Sequence, residues 1–220
     1  MTRNVLLVGS SGGIGRACAH WFESRGDRLL QLDRTMGHDA SNPDDYKKVL
    51  SGVERVDVVV NAAGSVGVGG IEDCTVAEWR RVLDDNLTST FVACQATLPL
   101  LSRDSSIVLF SSINGRHGGN RLSGPAYAAA KAAIIGLTKH LAKDLADRGV
   151  RVNAIAPGPV ATPMLARLSS EEIEKLRLTM PLGNIIEASE IAGTVGWLCS
   201  PDAKSITGIV VDINGGMWMA

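Results

Sequence analysis

The stretch VLLVGSSGGIGRA, residues 5–17, decides the fold. Val5 to Val8 form a continuous apolar run, as expected of a strand buried on both faces. Gly9, Gly13 and Gly15 follow directly, and a helical period starts near Ile14. Glycines between a strand and a helix relax the φ restriction, let the backbone approach a pyrophosphate, and aim the helix N-terminus at its charge. Ser11 and Ile14 fall within the same cradle. No Gly-Lys-Ser/Thr follows, which excludes a P-loop. The competing reading is a tight strand-to-helix turn with no ligand.

Outward from this turn, short β-branched runs alternate with helical patterns. Asn4–Val8, Arg28–Leu32, Val56–Asn61, Ser106–Ser111, Arg151–Ile155 and Ile209–Asp212 read as strands; about 14–25, 43–51, 75–101, 125–147, 170–178 and 187–199 read as helices. This βαβ alternation predicts a single Rossmann-like α/β domain over residues 1–220, built on a doubly wound parallel sheet. Glycines and prolines gather after the strands, where such a sheet places its ligand crevice. Between Asp33 and the polar turn near Asp39 there is no room for a crossover helix, so the helix between the second and third strands is expected to be shortened or missing.

Composition narrows the function. With 220 residues, 45% hydrophobic and 20% charged, the chain can bury one continuous core. A net charge of −1 gives no bulk attraction to nucleic acid or membrane. The N-terminal apolar run ends at Gly9, too short for a signal peptide, so a cytoplasmic protein is expected. Cys18, Cys74, Cys94 and Cys199 are scattered, and the four histidines form no HExxH pair, so no metal is expected. Asp33 closes the second strand 18 residues beyond Gly15, where a carboxylate bonds the adenosine ribose and repels a 2′-phosphate. NAD is therefore preferred, while Arg34 keeps NADP possible.

The glycine turn, Asn61-Ala62-Ala63-Gly64 after a strand, and Tyr127-x-x-x-Lys131 together resemble the short-chain dehydrogenase/reductase family, over nearly the whole chain to Asp212–Gly216. Tyr127 and Lys131, four residues apart, share one helix face. A phenol near pKa 10 is only about 0.1% ionised at pH 7, so it needs positive charge beside it to act as a base, and the Lys131 ammonium would supply it. The resemblance implies that Tyr127 is the general acid/base and that Lys131 also holds the nicotinamide ribose. It further implies that Asn86 holds a water linking Lys131 to solvent. Ser112 matches the family's serine that orients the substrate oxygen, but it lies 15 residues before Tyr127, a longer interval than usual. Asn114 occupies the usual one; a two-residue insertion within Gly115–Pro125 accounts for this, with Ser111 and Ser123 as lesser candidates.

By the same resemblance Asn61, Ala62 and Gly64 shape the cofactor floor, and Asp39 and Ala40 lie near the adenine. Ile155, Pro157, Gly158 and Val160 line the cofactor through their backbone, and Thr162 reaches the carboxamide. The implied activity is hydride transfer between nicotinamide and a secondary alcohol or ketone. A catalytically silent dinucleotide-binding sensor or regulatory protein is the alternative; a methyltransferase would leave Tyr127, Lys131 and Ser112 without roles. Arg116 or His117 could meet an acidic group on the substrate, against the reading of a solvated loop. Leu137, Leu141 and Leu145 form an apolar stripe suited to a homo-oligomer, as a dimer or homotetramer, unless it packs on the sheet.

Overall fold

The computed structural model describes residues 2–219. Six strands, β1 (Asn4–Val8), β2 (Arg28–Leu32), β3 (Val56–Asn61), β4 (Leu101–Phe110), β5 (Arg151–Pro157) and β6 (Val210–Ile213), form one sheet in the order β2-β1-β3-β4-β5-β6. Every neighbouring pair is parallel. This is the doubly wound architecture the alternation predicts. The register aligns Val8 with Leu32 and Asn61, Phe110 with Ile155, and Pro157 with Ile213. All six carboxyl ends therefore open on one edge, and the order reverses between β1 and β3, which is where such sheets hold ligands.

Alternation along each strand feeds two cores. Leu6, Val8, Val59 and Leu109 pack on one face with Tyr46, Val92 and Ile134; Val5, Leu7, Val60 and Val108 pack on the other with Phe22, Ile191 and Val195. The first core is covered by α2 (Pro43–Val49), α4 (Ser89–Thr97) and α6 (Gly124–Asp144), the second by α1 (Gly13–Glu23) and α8 (Ala188–Leu198). Leu141 is packed against the first core and Leu145 is buried in it, so the α6 stripe is largely core rather than a free surface. The connection from β2 to β3 carries only a 3-10 turn, Arg34–Met36, and the seven-residue α2. Tyr46 of α2 is sealed in the core and donates to the Ala40 carbonyl at 3.0 Å, tying this short connection down.

Two helical segments differ from the sequence pattern. The segment read as one helix over 75–101 is α3 (Val76–Leu83), a π-helical turn at Asp84–Thr88, α4 and a 3-10 turn. A four-residue helix, α5 (Asn114–His117), precedes α6 and ends on Gly118 and Gly119, both at positive φ. The remaining helix, α7 (Ser170–Leu178), follows β5 after a long segment and begins with a capping box between Ser169 and Glu172.

The contact of α1 with α8 depends on Gly196, because a Cβ there would enter the Trp21 ring. Gly196→Ala is expected to lower the unfolding free energy by about 1–3 kcal/mol, seen as a lower urea midpoint. An unchanged midpoint would mean that the indole yields without cost.

Candidate active site

The glycine turn is built by close approach of three segments. A Cβ on Gly9 would come within 2.5 Å of the Ala63 nitrogen, one on Gly15 would enter the Gly9 carbonyl, and one on Gly13 would enter Thr162. The loops after β1, β3 and β5 therefore meet over the start of α1. Gly12 offers no side-chain cap there, which leaves first-turn N–H groups for a ligand. Asn61 braces this floor from behind: its Oδ1 accepts from the Ala63 N–H and its Nδ2 donates to Thr90 Oγ1. Ala62 and Gly64 line the cavity itself. Ile155 does not; it is core, and its carbonyl accepts from the Ser111 N–H.

A cavity of about 170 Å³ beside the turn is lined by Gly9, Asp33, Arg34, Asp39 and Ala40, with His38 and Asp85. Asp33 Oδ2 accepts from the Ser11 N–H at 2.9 Å, and Oδ1 from the Thr35 N–H and hydroxyl at 2.8 Å each. Burial works against its charge, but these donors prevail and hold the carboxyl below its usual range. Arg34 turns across the mouth to Asp85 Oδ1 at 2.7 Å, and Asp85 Oδ2 accepts from Ser65 and Arg81. Asp39 is engaged by the Ser41 N–H and hydroxyl. His38 carried no signal in the sequence, since a lone histidine in a short loop has no pattern; its buried Nδ1 has no partner.

A second cavity, of about 210 Å³, brings together Asn86, Ser112, Tyr127, Lys131, Pro157, Gly158, Val160 and Thr162 with Ile14. Residue 131 is anchored three ways. Ser111 Oγ donates to its carbonyl at 2.7 Å, Gly115 lies so close that a Cβ would sit 2.6 Å from its backbone, and its own Nζ donates to the Phe110 carbonyl at 2.9 Å. Tyr127 lies one turn earlier, with its ring centre 5.4 Å from Nζ. Ser112 shares the cavity wall with Tyr127, where its hydroxyl draws the phenol down, and its Oγ accepts from the Asn114 N–H. Ser111 and Ser123 are engaged elsewhere, the latter with Asn114 and Asn120. All three serines line the cavity, but only the Ser112 hydroxyl is not committed as a donor to another group.

The π-helical turn presents Asn86, whose Nδ2 donates to the carbonyls of Ser65 and Val82. Its buried Oδ1 has no partner and faces the Gly64 Cα, as does Lys131 Nζ. Burial lowers the Lys131 ammonium to about 7. Burial also raises the Tyr127 phenol, against the Ser112 hydroxyl and the charge of Arg167, which pull it down. In the free protein the phenol therefore carries its proton. Arg116 faces neither substrate nor open water: it forms a part-buried pair with Asp212 at 3.0 Å. His117 does line the cavity, with Nδ1 accepting from the Gly119 N–H. Arg167, in the segment before α7, also lines it and was not singled out by any sequence motif.

The arrangement fits a dinucleotide: a side-chain-free cradle at a helix N-terminus, a fixed carboxylate at the second strand end, and an orphaned amide oxygen beside a buried ammonium. The family described as Enoyl-(Acyl carrier protein) reductase matches residues 33–218. A 3-oxoacyl-(acyl-carrier-protein) reductase of Vibrio cholerae is 34% identical, covering 97% of this chain and 96% of the relative. The solved glucose/ribitol-type short-chain dehydrogenase/reductase of Brucella melitensis superposes with a TM-score of 0.93 at 32% identity, covering 99% and 97% of the two chains. A 3-oxoacyl-(acyl-carrier protein) reductase from the same organism, solved with bound NAD, superposes at 0.86 with 32% identity, covering 99% and 92%. The chain belongs to the short-chain dehydrogenase/reductase family and is an NAD(P)-dependent oxidoreductase acting between ketones and alcohols.

Proposed function

We propose that the chain is an NAD-preferring carbonyl reductase or alcohol dehydrogenase in which Tyr127 is the acid/base, Ser112 orients the substrate oxygen, and Lys131 and Asn86 complete the proton path. The carrying observation is that Ser112, Tyr127 and Asn86 line one cavity with the buried Lys131 at its floor. When bound, the nicotinamide supplies or accepts the hydride. In reduction, Tyr127 gives its phenolic proton to the oxygen as the carbonyl carbon gains hydride. In oxidation it takes the alcohol proton back. Burial favours the protonated phenol, so the resting site is loaded for reduction. Lys131 stabilises the phenolate that forms, and the unpaired Asn86 Oδ1 gives a relay water its acceptor.

Recognition of the dinucleotide follows the cavity walls. Gly9, Ser11, Gly13, Ile14 and Gly15 take the pyrophosphate, Asp33 with Asp39 and Ala40 takes the adenosine, and Asn61, Ala62 and Gly64 shape the floor. Pro157, Gly158, Val160 and Thr162 flank the nicotinamide. Asp33 supports NAD because its charge is locked in place by three donors, while Arg34 is neutralised by Asp85. One domain over residues 1–220 would hold both sites. A homo-oligomer, dimer or tetramer, is supported by Val76 of α3 and Phe91 of α4, which stand 66% and 49% exposed. A cytoplasmic location belongs to the same proposal; among the described residues no helix is long and apolar enough to cross a membrane.

The test is nicotinamide absorbance over a panel of ketones and secondary alcohols, run separately with NADH and NADPH and their oxidised forms. Turnover favouring NAD(H), falling at least about a thousandfold in Tyr127→Phe, is expected from loss of general acid–base catalysis together with its ordered site. Near-normal turnover in that variant would overturn the assignment. Binding without any turnover would instead favour the silent sensor. A second expectation concerns pH. Because the Lys131 ammonium falls from 10.5 to about 7 on burial, the unfolded chain binds more protons between those values, and stability rises with pH across that window. Its full cost is present below pH 7. Ligand-free Lys131→Met should melt above the wild type at pH 7 and below, with the gap closing toward pH 10; a constant gap would contradict the buried charge.

A further inference from the structure

The substrate cavity has two cations on its wall and, among the described residues, no carboxylate. Lys131 lies at the floor; Arg167 lies at the mouth, in the segment between β5 and α7, and the walls between include Ile113, Leu122 and Met164. The imbalance is local, since the whole chain carries −1. Other arginines near the site are neutralised, Arg34 and Arg81 by Asp85 and Arg116 by Asp212. Arg167 instead donates to the main-chain carbonyl of Leu122, on the loop before α6. Glu172 feels its charge but is spent on the capping box of α7, where its carboxylate accepts from the Ser169 N–H.

We infer that Arg167 is the substrate's anion receptor: the enzyme prefers oxo acids and hydroxy acids, with the reacting oxygen at Ser112 and Tyr127 and a carboxylate at Arg167. A guanidinium held by one neutral carbonyl gains by exchanging it for a carboxylate, because the new bonds are charge-assisted and two can form in parallel. An exposed arginine on a rim can make this exchange without leaving a buried charge behind. Its field already reaches the Tyr127 phenol, which places it on the reacting side of the cavity rather than on the adenosine side. The sequence offered this role to Arg116 or His117; Asp212 occupies Arg116, and His117 Nδ1 accepts from the Gly119 N–H.

The inference rests on the oxidoreductase reading, and its test separates the two. Short oxo acids and their methyl esters are assayed with NADH and NADPH on the wild type, Arg167→Gln and Arg167→Lys. The kcat/KM ratio of acid to ester should be about tenfold in the wild type, expressed in KM, the scale of a charged hydrogen bond. It should fall to near one in Arg167→Gln and recover in part in Arg167→Lys. Esters turned over as well as acids by the wild type, or a ratio that Arg167→Gln does not move, would overturn the anion receptor and leave the reductase standing. Absence of Tyr127-dependent turnover across the panel would overturn both.

Discussion

A lysine ammonium sealed beneath the carboxyl end of β4 is the constraint around which this site is arranged. Lys131 is 4% exposed and its Nζ has the Phe110 carbonyl as acceptor. Burying such a group is costly unless its protons are satisfied. The surroundings are correspondingly specific: Ser111 holds the residue's carbonyl, Gly115 permits α5 to lie on its backbone, and Asn86 turns an unpaired oxygen toward the same region. The alanines of α6 that precede it, Ala126, Ala128 and Ala130, are buried with it. Helix, strand end and π-helical turn are each shaped to put one charge in one place.

The chemistry follows from where that charge is and where it is not. Sequence reasoning expects Lys131 to pull the Tyr127 phenol down, yet in the free protein its Nζ is turned to Phe110 and burial prevails, so the phenol is raised. The two observations agree if the acid is kept loaded until a cofactor arrives. Asp33 shows the opposite balance, because three donors outweigh its burial. Two titratable groups are thus pushed in opposite directions by their surroundings, each toward the state its proposed role requires.

Much of this was legible because it is local. β1, β2 and β3 match their expected spans to the residue; β1 and β3 do so because strands buried on both faces leave no ambiguity of pattern. Tyr127, Lys131 and Ser112, which line one cavity, were singled out through short motifs, and the short β2–β3 connection through chain length alone. What escaped depends on distance or fine geometry. β4 begins at Leu101 rather than Ser106 because its first half lies beyond a register slip opposite Val56 and Val58. The π-helical turn differs from an α-helix by a spacing too small for a polarity pattern to reveal. The partners of Arg34 and Arg116 lie 51 and 96 residues away, and only the fold brings them together. Arg167 lies in a segment without periodicity, and no motif sets it apart from its neighbours.

The central claim is that Tyr127 is the proton donor and acceptor and that bound cofactor brings it under the influence of Lys131. With only two tyrosines in the chain, one sealed in the core, the ring-carbon resonance of labelled Tyr127 can be followed by NMR against pH in the free protein and with NAD bound. The account predicts that the phenol ionises at distinctly lower pH in the complex, and that Lys131→Met removes most of that shift. An ionisation unmoved by NAD, or moved equally without Lys131, would contradict it.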